Sequence, residues 1–189
     1  MKHTSLQTIR DEHASLAAIL RSMRMLVERG PGDSPQQFFF FFRATLVYID
    51  EFPVLRHHTQ ESPLLFGCVL RVAPELQDLV ARLERDHRNG EKAVRELQHL
   101  LLAWELLGES RMVAFVTACQ RYLDFYLEHM QLEETMILPE AERLLSEDEW
   151  RVLDAAFREN LDPLNGRYPP NPAYDRLFTR IVLKARIPV

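Results

Sequence analysis

Cysteine, tryptophan and glycine are scarce in this 189-residue chain, at two, two and six residues. Two cysteines cannot build a disulfide scaffold. Cys68 and Cys119 each fall inside an apolar, helix-patterned stretch, which marks them as reduced core residues. Positive charge is also short: 23 Lys and Arg face 28 Asp and Glu, for a formal net charge of −5. No overall basic field therefore exists to gather nucleic acid or an anionic membrane. No window approaches ~18 consecutive apolar residues, and the first residues, Met1 to His13, contain no apolar run of the secretory-signal kind. A soluble, cytoplasmic protein with neither nucleic-acid nor membrane partners is expected. Gly-rich phosphate loops and nucleotide fingerprints are absent as well.

What remains is 47% apolar and 27% charged, the composition of one globular domain. Period-2 alternation with turn chemistry is found nowhere, whereas apolar residues recur at three and four throughout, so the fold class is all-α. Thr4-Ser5-Leu6-Gln7 reads as a capping box opening a first helix, with the stripe Leu6, Ile9, His13, Leu16, Leu20, Met23 and Val27. Gly30-Pro31-Gly32 stops it. Ser34 to Gln37 is a second capping box, followed by Phe42, Leu46, Ile49, Pro53, His57, Glu61 and Leu64. Pro53 should kink this helix and Pro63 should help end it. A third helix runs from near Glu75 to Gly108 through Val80, Leu83, His87, Gly90, Val94 and Trp104. The fourth opens at Ser110, carries Phe115, Cys119, Tyr122, Tyr126, His129, Glu133 and Met136, and should stop before Pro139.

Four helices of roughly 25–33 residues with short connections predict an up-down-up-down bundle over residues 1–145. Residues 146–189 read as a helical tail packed on that bundle. It holds a fifth helix from Glu147 to Glu159, a Pro/Asn/Gly loop and a sixth helix near Tyr174 to Lys184. Five consecutive Phe, Phe38 to Phe42, exceed one ~100° stripe, which places some of them under the tail or in a homodimer interface.

The chemistry lies in what interrupts the stripes. Each of the four helices carries a His on its inward face: His13, His57, His87 and His129. Two of them are followed one turn later by Glu61 and Glu133. Residues at i and i+4 lie only ~40° apart around a helix, so an imidazole and a carboxylate so placed can reach one ion or two adjacent ones. A lone His on an apolar stripe is ordinarily a satisfied core residue. Four of them, with two buried carboxylates and no Lys or Arg at their level, call for a positive charge between them. All six also fall at one height of an antiparallel bundle, given ~1.5 Å of rise per residue. The chain further resembles two halves: Arg10-Asp11-Glu12-His13 against Glu84-Arg85-Asp86-His87, and His57-x-x-x-Glu61 against His129-x-x-x-Glu133. Each half would supply one His and one His-x-x-x-Glu pair, the supply that a two-metal site requires.

With these residues in view, the sequence resembles the hemerythrin-like proteins of the HHE cation-binding class. Asp11-Glu12-His13 is similar to the first-helix motif, Tyr48 to Phe66 to a signature of one bacterial branch, and His129 to Pro139 to the last-helix motif. Residues 150–182 also look like that branch's tail. The resemblance implies His13, His57, Glu61, His87, His129 and Glu133 as ligands of two non-haem iron ions, or zinc or manganese, with a bridging oxide or water. His58 is either a seventh ligand or a solvated surface His: some relatives place a ligand glutamate directly after the second-helix His, and a residue at i−3 from Glu61 can share its face. Circulatory hemerythrins carry His-x-x-x-His on the third helix, where this chain has His87 to Glu91, which speaks against simple oxygen storage.

Imidazole and carboxylate donors suit iron, and the lack of thiolates argues against an iron–sulfur cluster. Two functional classes follow. One is a module that binds or senses dioxygen, nitric oxide or iron. The other is a di-iron oxidoreductase or peroxidase, or a factor that repairs iron centres; no second catalytic constellation is seen in the sequence. Gly90 offers either a pocket for an exogenous ligand or a close helix contact. Tyr126 is either a donor beside the ligands, a redox partner, or a core tyrosine with a satisfied hydroxyl.

Overall fold

The computed structural model describes residues 3–51 and 61–158. His57, His58, Pro53 and the tail beyond Arg158, with its loop and sixth helix, lie outside the described residues. The elements are α1 (Thr4–Arg29), α2 (Pro35–Ile49), α3 (Gly67–Val72), α4 (Gln77–Leu107), α5 (Met112–Leu132), α6 (Leu138–Leu144) and α7 (Glu147–Arg158). Glu61–Phe66 is a π-helical turn leading into α3, and Glu133–Ile137 is another between α5 and α6. Among the described residues there is no strand, and no helix is long and apolar enough to cross a membrane.

Glycine ends two of the long helices. Gly30 and Gly108 sit at φ 71° and φ 87°, and their N–H groups bond the carbonyls of Leu26 and Trp104. That left-handed backbone is open to glycine without steric cost, so each helix stops where it does. Neither expected capping box forms. His3 precedes α1 and Ser34 precedes α2, and neither provides a side-chain cap. The start of α1 is satisfied across the fold instead: the N–H and hydroxyl of Ser5 donate to Asp154 Oδ1 of α7 at 2.8 and 2.7 Å. A tertiary carboxylate at a helix N-terminus meets both the open N–H groups and the dipole.

Two apolar cores fill the bundle, with a polar layer between them. One gathers Leu16 to Val27 of α1, Phe38 to Ile49 of α2, Val94 to Trp104 of α4 and Phe115 to Met130 of α5. The other gathers Leu6 and Ile9, Leu65 to Val69, Val80 and Leu83, Ile137 to Ala141, and Trp150, Leu153 and Phe157 of α7. Each long path therefore crosses from one core to the other, and successive paths cross in opposite senses. That is the up-down-up-down order.

The five Phe belong to the first core, at the opposite end from α7. Phe38, Phe41 and Phe42 are buried, and Phe39 and Phe40 are half-buried. Phe38 and Phe39 meet Trp104 edge-on at 5.3 and 5.2 Å, and Phe42 meets Phe115 at 5.3 Å. Aromatic partners from α4 and α5, and not the described part of the tail, absorb the excess.

Neither Pro63 nor Pro139 ends a helix, contrary to expectation. Pro63 lies inside the first π turn, and Pro139 sits one residue into α6, just past the second. A proline ring would clash with the carbonyl four residues back in a regular helix, and it has no N–H to donate. The wider π turn accommodates an extra residue and lets the path continue. It also shifts the register by one. Met136, expected inward, is 47% exposed, while Ile137 and Leu138 are buried. The same shift after Glu61 leaves Leu64 half-buried and buries Leu65 and Phe66.

Candidate metal centre

The polar layer between the cores is made by His13 of α1, Glu61, His87 of α4, His129 of α5 and Glu133, all buried. Each glutamate is the first residue of a π turn, so its side chain faces inward while the following turn re-aims the apolar residues. π turns are frequent at functional sites for this reason. Among the described residues no Lys or Arg is buried at all.

Glu133 is the hub. Its Oε1 lies 3.0 Å from His129 Nε2 and 3.5 Å from His87 Nε2, and its Oε2 lies 3.3 Å from His13 Nε2. Glu61 Oε2 is 3.6 Å from His87 Nε2. Two groups of donors result, His87/His129/Glu133 and His13/Glu61/Glu133, each with its ligand atoms within 4.8 Å of one another. Two ligand atoms held ~2.1 Å from a common cation are about 3.0–3.4 Å apart for angles between octahedral and tetrahedral. The donor set and its spacings thus fit metal ions. His57 and His58, expected to join this layer, lie outside the described residues.

Outer groups orient the imidazoles. Glu134 Oε1 lies 3.2 Å from His13 Nδ1, turning Nε2 toward Glu133. Asp86 Oδ2 faces His129 Nδ1 at 3.8 Å and is itself approached by Arg82. Phe66 stacks on His87 with centroids 5.8 Å apart, and Phe125 on His129 at 6.4 Å. A carboxylate behind a metal-binding imidazole fixes its tautomer and raises its basicity. None of these four was marked by periodicity, since they act across helices or lie beside the stripe. Two of them have a sequence signal in adjacency: Asp86 precedes His87 and Glu134 follows Glu133.

The electrostatics are those of a charge cluster. Burial alone would raise Glu133, but His129 beside it, with His13 and His87, holds it well below the usual carboxylate range. For His129, burial works downward and the Glu133 carboxylate outweighs it, so its pKa is raised. The His13 imidazole lowers Glu134. Tyr126 is driven far upward, first by burial and then by Glu133 and Glu61, and stays a neutral phenol.

The family profile of the hemerythrin HHE cation-binding domain matches residues 4–141, from the start of α1 into α6. The chain belongs to the hemerythrin HHE cation-binding family. No curated protein matches it. A hemerythrin HHE domain is a cation-binding domain, and among the described residues its buried His/Glu layer brings together groups able to hold a cation.

Gly90 is the close-contact residue, not an open pocket. A Cβ there would meet Tyr126 Cε2 at 3.0 Å, because the tyrosine ring already occupies the recess. Tyr126 is 2% exposed and packs on His129 with centroids 5.8 Å apart.

Proposed function

We propose that this hemerythrin-like protein is a cytoplasmic, redox-active di-iron module. His13, His57, Glu61, His87, His129 and Glu133 would hold two iron ions and His58 would be the additional donor on the second helix; a small ligand such as dioxygen or nitric oxide would be bound or sensed there. The observation that carries this reading is Glu133, whose two oxygens face two different donor groups, Oε1 toward His87 and His129 and Oε2 toward His13. A carboxylate divided in this way is what bridges a pair of ions.

A bound pair would supply one-electron steps at each ion and coordination positions for the exogenous ligand. The chain's own contribution is placement and exclusion. Glu134 holds the His13 tautomer, Asp86 sets a negative charge 3.8 Å behind His129 Nδ1, and the stacked rings of Phe66 and Phe125 wall the layer from water. Tyr126 stays protonated beside the carboxylates and closes the recess over Gly90. The two carboxylates among the donors favour the more highly charged state of the ions, so the module should oxidise readily in air and not store oxygen.

The decisive experiment is metal counting on protein grown with iron and purified anaerobically. Two ions per chain are expected. Glu133→Ala should lose both, whereas His13→Ala should keep one. A folded wild-type chain that saturates at a single ion would overturn the dinuclear reading. A di-iron oxidoreductase or peroxidase becomes the better description if peroxide is consumed over many turnovers with an added electron donor.

A further inference from the structure

On the flank of the bundle, between α4 and α5, a groove of about 300 Å³ is bordered by Asn89, Ala93, Glu96, Arg121, Tyr122 and Phe125. Its inner wall is aromatic, and both rings lead to the polar layer. Phe125 stacks on His129 at 6.4 Å with 23° between the ring planes. Tyr122 packs on Tyr126 at 5.0 Å, and Tyr126 packs on His129 at 5.8 Å. Tyr126 is seated edge-on in the Gly90 recess, so this second path is dense and dry. A molecule lying in the groove is one side chain from the His129 imidazole by the first path and two by the second.

The lining also selects an occupant. Apolar and aromatic walls suit a flat ring, and the space is near the ~300 Å³ lower bound of small-ligand sites, which excludes a dinucleotide or flavin. The rim supplies Arg121 as a donor, Glu96 as an acceptor and Asn89 as both, the kinds of group that a ring carrying two hydroxyls can bond. We propose that the α4–α5 groove is the docking site of a small hydroquinone that reduces the metal pair, an inference that rests on the dinuclear reading above. The hydroquinone loses two electrons and becomes the quinone, and its two hydroxyl protons leave to solvent at the open rim. One electron passes to each of the two oxidised ions, taking each from the +3 to the +2 state. Phe125, Tyr122 and Tyr126 end unchanged and serve as the packed medium between donor and ligand.

Tetramethylhydroquinone, kept anaerobic, is the probe for both reduction and binding. In the metal-free chain, which cannot oxidise it, the hydroquinone should shift the resonances of Ala93 and Phe125 saturably, and Ala93→Phe, which fills the groove, should abolish the shifts. In the oxidised, iron-loaded protein, reduction by the hydroquinone should saturate with concentration and slow about tenfold or more in Ala93→Phe, while the dithionite rate changes less than about twofold. Arg121→Glu, on the exposed rim, should raise the half-saturating concentration without disturbing the fold. Absent shifts, unsaturable reduction, or equal hydroquinone rates in wild type and Ala93→Phe would each overturn the proposal. Because the binding arm uses metal-free protein, a failed metal count would sink the dinuclear reading and still leave the groove judged on its own result.

Discussion

Gly90 of α4 and Tyr126 of α5 share a single volume, with the ring edge of the tyrosine 3.0 Å from where a β-carbon would stand on the glycine. An alanine in the interior of a helix normally gains about 1 kcal/mol over glycine. Here that gain meets a ring pinned between Tyr122 and His129, and overpacking a filled core costs ~1–3 kcal/mol. Gly90→Ala should therefore fail to stabilise the chain, whereas the same change in a Tyr126→Ala background should stabilise it. A double-mutant cycle by chemical denaturation reads this difference directly. Equal effects in the two backgrounds would show that the ring yields freely.

Glu134 is half open to solvent yet bonds the buried His13, which makes it a clean test of ligand orientation. Glu134→Gln keeps the size and loses the charge. Removing such an outer partner typically costs ten- to a hundredfold in metal affinity. We expect a loss in about that range by competition with a chromophoric chelator, with the melting temperature of the metal-free chain little changed. Unaltered affinity would remove Glu134 from the site.

These two relationships mark the limit of what the sequence discloses. The five described layer residues were legible because a polar group at helical spacing must interrupt an apolar stripe, and the rise per residue along antiparallel helices sets their common height. The partners that orient them were not, since Asp86 reaches His129 from a neighbouring helix and leaves no local periodic trace. The same reason hid the α1 cap. Local pattern pointed to Thr4 and Gln7, but the carboxylate that serves α1 is Asp154, 149 residues from Ser5. Proline was read by its ordinary effect, and the π turns that absorb Pro63 and Pro139 cost the register one residue, exposing Met136. The up-down-up-down order, by contrast, follows from helix lengths and short connections alone.

The Phe run yields a packing prediction. Phe42 is fully buried among Phe38, Phe41 and Phe115. Phe42→Ala should destabilise the chain by ~3–5 kcal/mol, the usual cost of removing a core aromatic. Phe39 is only half-buried, and Phe39→Ala should cost clearly less. Equilibrium denaturation of both variants tests the ordering, and a reversed order would place Phe39 in a buried subunit interface.

The last prediction concerns pH and turns on Glu133 and His129. In the metal-free chain Glu133 is held below its ordinary 4.5, so its contribution to stability is fully present above 4.5 and is lost as pH falls through the depressed value. His129 is raised above its ordinary 6.5, so its contribution is fully present below 6.5 and is lost as pH rises through the raised value. Both are fully present together only between 4.5 and 6.5, where carboxylate and imidazolium face each other at 3.0 Å. Metal binding runs the other way across the upper edge of that window. It needs a neutral imidazole, so an ion must displace the proton that Glu133 favours on His129. The chelated protein should therefore melt highest between 4.5 and 6.5, and metal affinity should climb steadily as pH rises beyond 6.5. In Glu133→Gln the melting maximum should flatten, because the partner that raises His129 is gone. A wild-type melting profile without a maximum in that window would show that the two side chains do not share a proton-linked charge pair.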